Sequence, residues 1–188
     1  MPYLRQAIAD VAEKRAVWPA LACVGFRAQE VLALDSFGMT TTSEAITTVA
    51  AAFADTPRPT NVELLHQECH DDMDIRGLYP VARWQDADDT LIEFEYAALF
   101  FLSPGGFRFF LPTYMTWVLE HPYSEAAVVD STIRALTPQS GDLEAFSLSK
   151  FTELNDEERT AVVAFLDAMT VNNELEIAGA LEYWQGAR

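Results

Sequence analysis

Cysteine is nearly absent from this chain. Among 188 residues only Cys23 and Cys69 carry thiols, and neither belongs to a Cys-x-x-Cys pair. A disulfide framework and a zinc ribbon therefore have no support, and the two thiols read as buried or partly buried free groups in a reducing cytoplasm. Long apolar runs are also lacking: no stretch supplies the ~20 consecutive apolar residues that a bilayer-spanning helix needs. The apolar run 16–26 follows Lys14 and Arg15. It is preceded by Asp10 and Glu13, contains Pro19 and continues into Arg27 and Glu30, so it does not read as an export signal. Internal repeats and low-complexity tracts are missing, and strand-like alternation is scarce. The last scarcity is positive charge. Twelve Lys and Arg stand against 29 Asp and Glu, leaving a net charge of -17. Such a chain is repelled by nucleic-acid phosphates and by anionic membranes, and it attracts a basic protein.

What is present is core-forming material. Half the residues are hydrophobic and 12% are aromatic, which is enough to bury a core despite the charge. The expected fold class is all-α: a compact, helical bundle-like domain over residues 41–188, with an N-terminal helical extension, residues 1–40, packed on it. Leu4, Ile8 and Val11 have helical spacing before Trp18-Pro19, and a second helix is expected from about Leu21 to Leu34. Asp35-Ser36-Phe37-Gly38 reads as the turn at the boundary.

Helix signals are denser beyond it. Thr41 and Glu44 have capping-box spacing, and Ile46, Val49, Ala50 and Phe53 then share a face that ends at Pro57 and Pro59. One helix is expected from Thr90 to about Leu102. Ser103 caps the next, with Pro104 in the first helical position and a kink near Arg108 where Pro112 withholds an N–H. A helix is expected over Ser124–Leu136. Asn155 and Glu158 repeat the capping-box spacing before Ala161, Val162, Phe165, Leu166 and Met169, and after Asn172-Asn173 a terminal helix covers Glu174–Trp184.

Several of these stretches carry a resemblance. Ala50-Ala-Ala-Phe53 with Pro57-x-Pro59 is one. Leu102-Ser-Pro-Gly-Gly-Phe-Arg-Phe-Phe-Leu-Pro112 followed by Tyr114 is another. Val129-Asp-Ser-Thr-Ile133 running to Leu136-Thr137-Pro138, and Phe151-Thr152 leading to the Glu157–Arg159 helix, complete the set. Over about residues 45–170 the chain resembles a bacterial family of small uncharacterised proteins, a domain of unknown function. The resemblance implies a bacterial, cytoplasmic protein and supplies no catalytic residues. Small acidic bacterial proteins of this type are often immunity partners of secreted toxins, an argument from class alone.

Chemical motifs are few. His66 and His70 share a helical face, with Glu68, Cys69, Asp71, Asp72 and Asp74 nearby, and could bind Zn²⁺. The zincin pattern fails, because Gln67 stands where its glutamate belongs. Ser103-Pro-Gly-Gly-Phe-Arg108 could seat an anion at a helix N-terminus, but it lacks the lysine of a phosphate loop and reads better as capping plus a close helix contact. No nucleophile elbow is present. The aromatic stretch Phe94–Trp117 contains Arg108 as its only basic residue and reads as core rather than as a base-stacking platform. No enzyme, cofactor or structural metal is expected.

The charge is uneven. From Glu63 to Glu95 ten acids face Arg76 and Arg83, and from Glu153 to Glu182 eight acids face Arg159. The expectation is an acidic binding protein, immunity or antitoxin-like, that neutralises a bacterial toxin such as a nuclease by occluding its basic cleft. The expected partner-binding residues are Glu68, Asp71, Asp72, Asp74, Asp86, Asp88, Asp89 and Glu93. The alternative is a metal-binding protein or metal-dependent enzyme using His66 and His70.

Overall fold

The computed structural model describes residues 40–66, 72–170 and 174–186. The helices expected within residues 1–39, the stretch 67–71 and the Asn172-Asn173 break lie outside them. The described residues form a mostly α domain, as expected from the sequence.

Helix α1 (Thr42–Ala52) begins at the capping box. Thr41 Oγ1 accepts from the Glu44 N–H at 3.2 Å, and Glu44 Oε2 accepts from the Thr41 N–H at 2.9 Å. These bonds, the Thr41 backbone N–H first, hold the Glu44 carboxyl below its ordinary value. The buried face is Ala45, Val49 and Phe53. Ala50, expected on that face, is exposed instead, because the helix turns Ala45 and Val49 toward the helices Pro104–Glu120 and Asp156–Met169. Arg58 then ties the following chain together. Its guanidinium donates to the carbonyls of Val81 (2.6 Å), Pro59 (2.7 Å) and Tyr79 (2.8 Å), and to Asn61 Oδ1 (2.6 Å).

A short helix α2 (Asn61–Leu64) follows. Leu65 bridges antiparallel to Leu102, the only β-type pairing among the described residues. The His66 N–H donates to Phe101 O at 3.1 Å, and the Ser103 N–H donates to Leu64 O at 2.8 Å. The 3-10 segments Asp72–Leu78 and Trp84–Asp86 lead into α3 (Asp89–Phe94).

The single helix expected over Thr90–Leu102 is in fact two, α3 and α4 (Ala98–Phe101), parted at Glu95. Tertiary bonds explain the break. Glu95 is buried, its Oε1 accepts from the Gly77 N–H at 2.9 Å, and its carbonyl accepts from both the Ala98 N–H (2.9 Å) and the Tyr114 hydroxyl (2.7 Å). That carbonyl is drawn into a tight turn and a side-chain bond rather than into an α-helical ladder.

Helix α5 (Pro104–Glu120) is the axis of the domain. It is buried almost all round, from Phe107 to Leu119, as a helix must be when neighbours cover every face. It touches α1, α2, α3, α6 (Ala127–Ala135), α7 (Glu144–Thr152) and α8 (Asp156–Met169). Ser103 Oγ caps it by accepting from the Gly106 N–H at 3.1 Å. The helix runs on through Pro112, so the N–H that this proline withholds from the Arg108 carbonyl does not end it. Helix α6 starts three residues later than expected. Helix α7 falls in a stretch to which the sequence reading assigns no helix. Helix α8 has the expected capping box and apolar face, and α9 (Glu174–Gly186) packs on α8 and α6, with Trp184 Nε1 donating to Leu136 O at 2.8 Å.

Burial, and then the negative charge of Glu95, push the Tyr114 phenol well above its ordinary value of 10.0. Tyr114 therefore stays neutral in the fold but ionises in the unfolded chain once the pH passes 10.0. Its stabilising contribution is intact below that value and is lost above it. Stability should fall between pH 9 and pH 11, and the fall should be shallower in Tyr114→Phe. Urea midpoints at the two pH values check this, and equal slopes for the two proteins would refute it.

Candidate functional site

The acids singled out in the sequence divide three ways. Glu68 and Asp71 lie outside the described residues, together with Cys69 and His70. Asp72 and Asp74 belong to the 3-10 segment Asp72–Leu78. Asp86, Asp88, Asp89 and Glu93 are all exposed, on the loop entering α3 and on α3 itself. Two acids counted in the charged segments are not surface groups at all: Glu95 is 3% exposed and Glu158 only 1%. Both are committed to hydrogen bonds inside the fold.

Asp88 has a second task. Its Oδ1 accepts from the Leu91 N–H at 2.8 Å and caps α3. Removing that cap destabilises as well as neutralises, whereas serine keeps the cap and removes the charge. Asp89 Oδ2 stands 3.8 Å from His121 Nε2, so the start of α3 lies beside the turn that joins α5 to α6. His121 itself stacks on Trp117 with ring centroids 4.4 Å apart. Phe94, the last residue of α3, is 79% exposed, and Tyr123, in the α5–α6 turn, is 86% exposed. The aromatic stretch read as core is therefore core only in part: Phe107, Phe109, Phe110, Tyr114 and Trp117 are buried, while Phe94 and Tyr96 face solvent.

The anion site considered at Ser103–Arg108 does not form as such. The Gly106 N–H goes to Ser103 Oγ, and Arg108 Nε goes to Glu158, at 2.9 and 3.0 Å to its two carboxylate oxygens. His66, half of the proposed metal pair, packs its ring 4.1 Å from that of Phe146. Among the described residues no three His, Cys, Asp or Glu side chains converge as metal ligands.

Two half-open pockets were not legible in the sequence. The first, about 370 Å³, is lined by His66, Phe100, Phe101, Phe146, Ser147 and Lys150 among others. Lys150 is 5% exposed. Its Nζ donates to Leu99 O (2.9 Å) and Phe100 O (3.0 Å) and sits 4.0 Å from the Phe146 ring centre. It fastens α7 to the end of α4 and puts an ammonium against an aromatic ring in the pocket lining. The second, about 300 Å³, opens between α1, α3 and α5 and includes Trp84, Asp89, Thr116, Trp117 and Glu120.

Comparison with known proteins gives one result. A model of a family of unknown function, DUF6714, matches residues 41–188, most of the chain. The chain belongs to the DUF6714 family. The match begins at Thr41, the residue that caps α1, and it covers every helix described above. No curated protein and no solved structure matches the chain. Membership of DUF6714 therefore carries no activity with it, and the chemistry must be read from the residues. No helix among the described residues is long and apolar enough to cross a membrane.

Proposed function

We propose that the protein is an acidic binding protein for a basic protein partner, and in its specific form an immunity or antitoxin-like protein of the bacterial cytoplasm that covers the basic cleft of a toxin. The observation that carries this reading is Phe94. It is a large aromatic side chain, 79% exposed, at the end of a helix whose other exposed residues include Asp89 and Glu93. Exposed aromatic side chains are enriched at protein interfaces, whose rims are polar. The net charge of -17 would speed the encounter with a basic partner and oppose nucleic acid. No covalent step is needed: carboxylates occupying a cleft built for a polyanion suffice.

The test uses the protein encoded by the adjoining gene as partner. A variant carrying Asp86→Asn, Asp88→Ser, Asp89→Asn and Glu93→Gln should bind it more than about tenfold more weakly, with a shallower salt dependence and an unchanged melting temperature. Phe94→Ala alone should cost a similar factor by slowing nothing but hastening release. Unchanged affinity in both variants removes α3 from the interface, and no binding to the wild-type protein removes this choice of partner.

A further inference from the structure

The pocket beside α4 and α7 gathers apolar surface that the fold leaves uncovered. Phe100, Phe101 and Phe146 are each only partly buried there, and Leu143, 58% exposed, stands in the same lining. Its volume of about 370 Å³ falls within the span of small-molecule sites, about 300–1,000 Å³. One charge is set into this apolar wall. Lys150 belongs to the lining, and its Nζ bonds to the Phe100 carbonyl at 3.0 Å and lies 4.0 Å from the Phe146 ring centre. Burying an ammonium carries a desolvation cost that an apolar side chain of similar volume would avoid. Here the cost is already met on folding, because the carbonyls of Leu99 and Phe100 and the ring hold the ammonium in place. An anion that enters meets a positioned cation in apolar surroundings, where attraction exceeds its value in water. Two further polar groups of the lining are committed elsewhere. Ser147 Oγ donates to Glu144 O and accepts from the Gln139 N–H, and Gln139 Nε2 donates to the carbonyls of Arg134 and Thr137. Asp142 is exposed, so solvent screens its repulsion of an anion.

We propose that this pocket binds a small organic acid, with an apolar body of single-ring size against Phe100, Phe101, Phe146 and Leu143 and its carboxylate turned to Lys150. The rings supply contact area and the ammonium fixes the orientation, the usual division of labour in a pocket that is mostly apolar. The site is separate from the acidic face: Asp86, Asp88, Asp89 and Glu93 do not line it. It stands or falls independently of the basic-partner reading.

Three probes of one shape test it. 3-Phenylpropanoate, the neutral 3-phenylpropanamide and the cationic 3-phenylpropylamine are each titrated into the ¹⁵N-labelled full-length protein. Saturable shifts of the Phe100, Phe101, Phe146 and Ser147 amide signals are expected with the acid. The amide should bind at least about fivefold more weakly, and the amine more weakly still. Asp142→Asn, a change at an exposed residue, should tighten the acid about twofold and leave the amide unchanged. Leu143→Ala should weaken acid and amide alike by about twofold. Lys150→Met should bring acid and amide to equal affinity. Where that variant fails to fold, the order of the three probes on the wild-type protein and the two exposed variants decide the matter. Equal binding of acid and amide, a preference for the amine, or no saturable shift at these signals up to about 10 mM probe overturns the proposal. So does a folded Lys150→Met that still prefers the acid, or a Leu143→Ala that binds both probes as before.

Discussion

Glu158→Ala is expected to lower the unfolding free energy by about 3–5 kcal/mol and the melting temperature by on the order of 10 °C. One carboxylate, 1% exposed, serves three parts of the fold. It accepts from Arg108 Nε on α5 at 2.9 and 3.0 Å, from the Asn155 N–H at the start of α8 at 3.0 Å, and from Thr56 Oγ1 beyond α1 at 3.3 Å. Removing it leaves the Arg108 charge partly buried without its partner, opens the α8 cap and frees Thr56. Arg108→Ala should cost nearly as much, because it leaves the buried carboxylate short of its cation. The double variant should cost less than the sum of the two. Denaturant unfolding of the three proteins measures this. Strict additivity, or a single-variant loss under about 1 kcal/mol, would show that the pair is incidental.

Adjacent glycines should respond with opposite sign. At Gly106 an added Cβ would lie 2.6 Å from the Leu64 carbonyl oxygen and 3.2 Å from Leu102 Cδ2, and the nearer atom is backbone. Gly106→Ala must push α2 away from α5. Overpacking of this kind costs about 1–3 kcal/mol, more than the ~1 kcal/mol that alanine returns in helix propensity. At Gly105 the nearest atom is Pro59 Cγ at 3.7 Å, an ordinary contact. Gly105→Ala should therefore leave stability unchanged or raise it by up to ~1 kcal/mol. Melting temperatures of the two variants decide the matter, and a stabilised Gly106→Ala would mean that the α2–α5 approach is looser than described.

What the sequence disclosed was local. The boxes at Thr41–Glu44 and Asn155–Glu158, and the Ser103-Pro104 start, are written within three or four residues, so spacing alone reveals them. The apolar face of α8 is equally local. The break at Glu95 is not, because its causes are Gly77 and Tyr114, 18 and 19 residues away. Nor is the partner of Arg108, 50 residues on, which turns a residue considered for anion binding into a structural cation. Charge counting went astray for the same reason: a glutamate that faces solvent and one that closes a buried network look alike in a string of letters. The exposed acids of α3 were legible as charge, while the exposed Phe94 beside them was hidden among aromatics that do form the core. Lys150 is the sharpest case. As one lysine in an acidic chain it carried no signal, and its place against the Phe146 ring, bonded to the Leu99 and Phe100 carbonyls, is set by the docking of α7 against α4.

The seam between α2 and the end of α4 is closed by three hydrogen bonds that lie outside the helical ladders. The amide protons of His66 and Ser103 are bonded across it, to Phe101 and Leu64, while the Ser103 hydroxyl grips Glu63 O. Neither amide belongs to a helical ladder. Comparing their exchange with deuterated solvent to that of the α5 amides would tell an opening of this one seam from an unfolding of the whole domain.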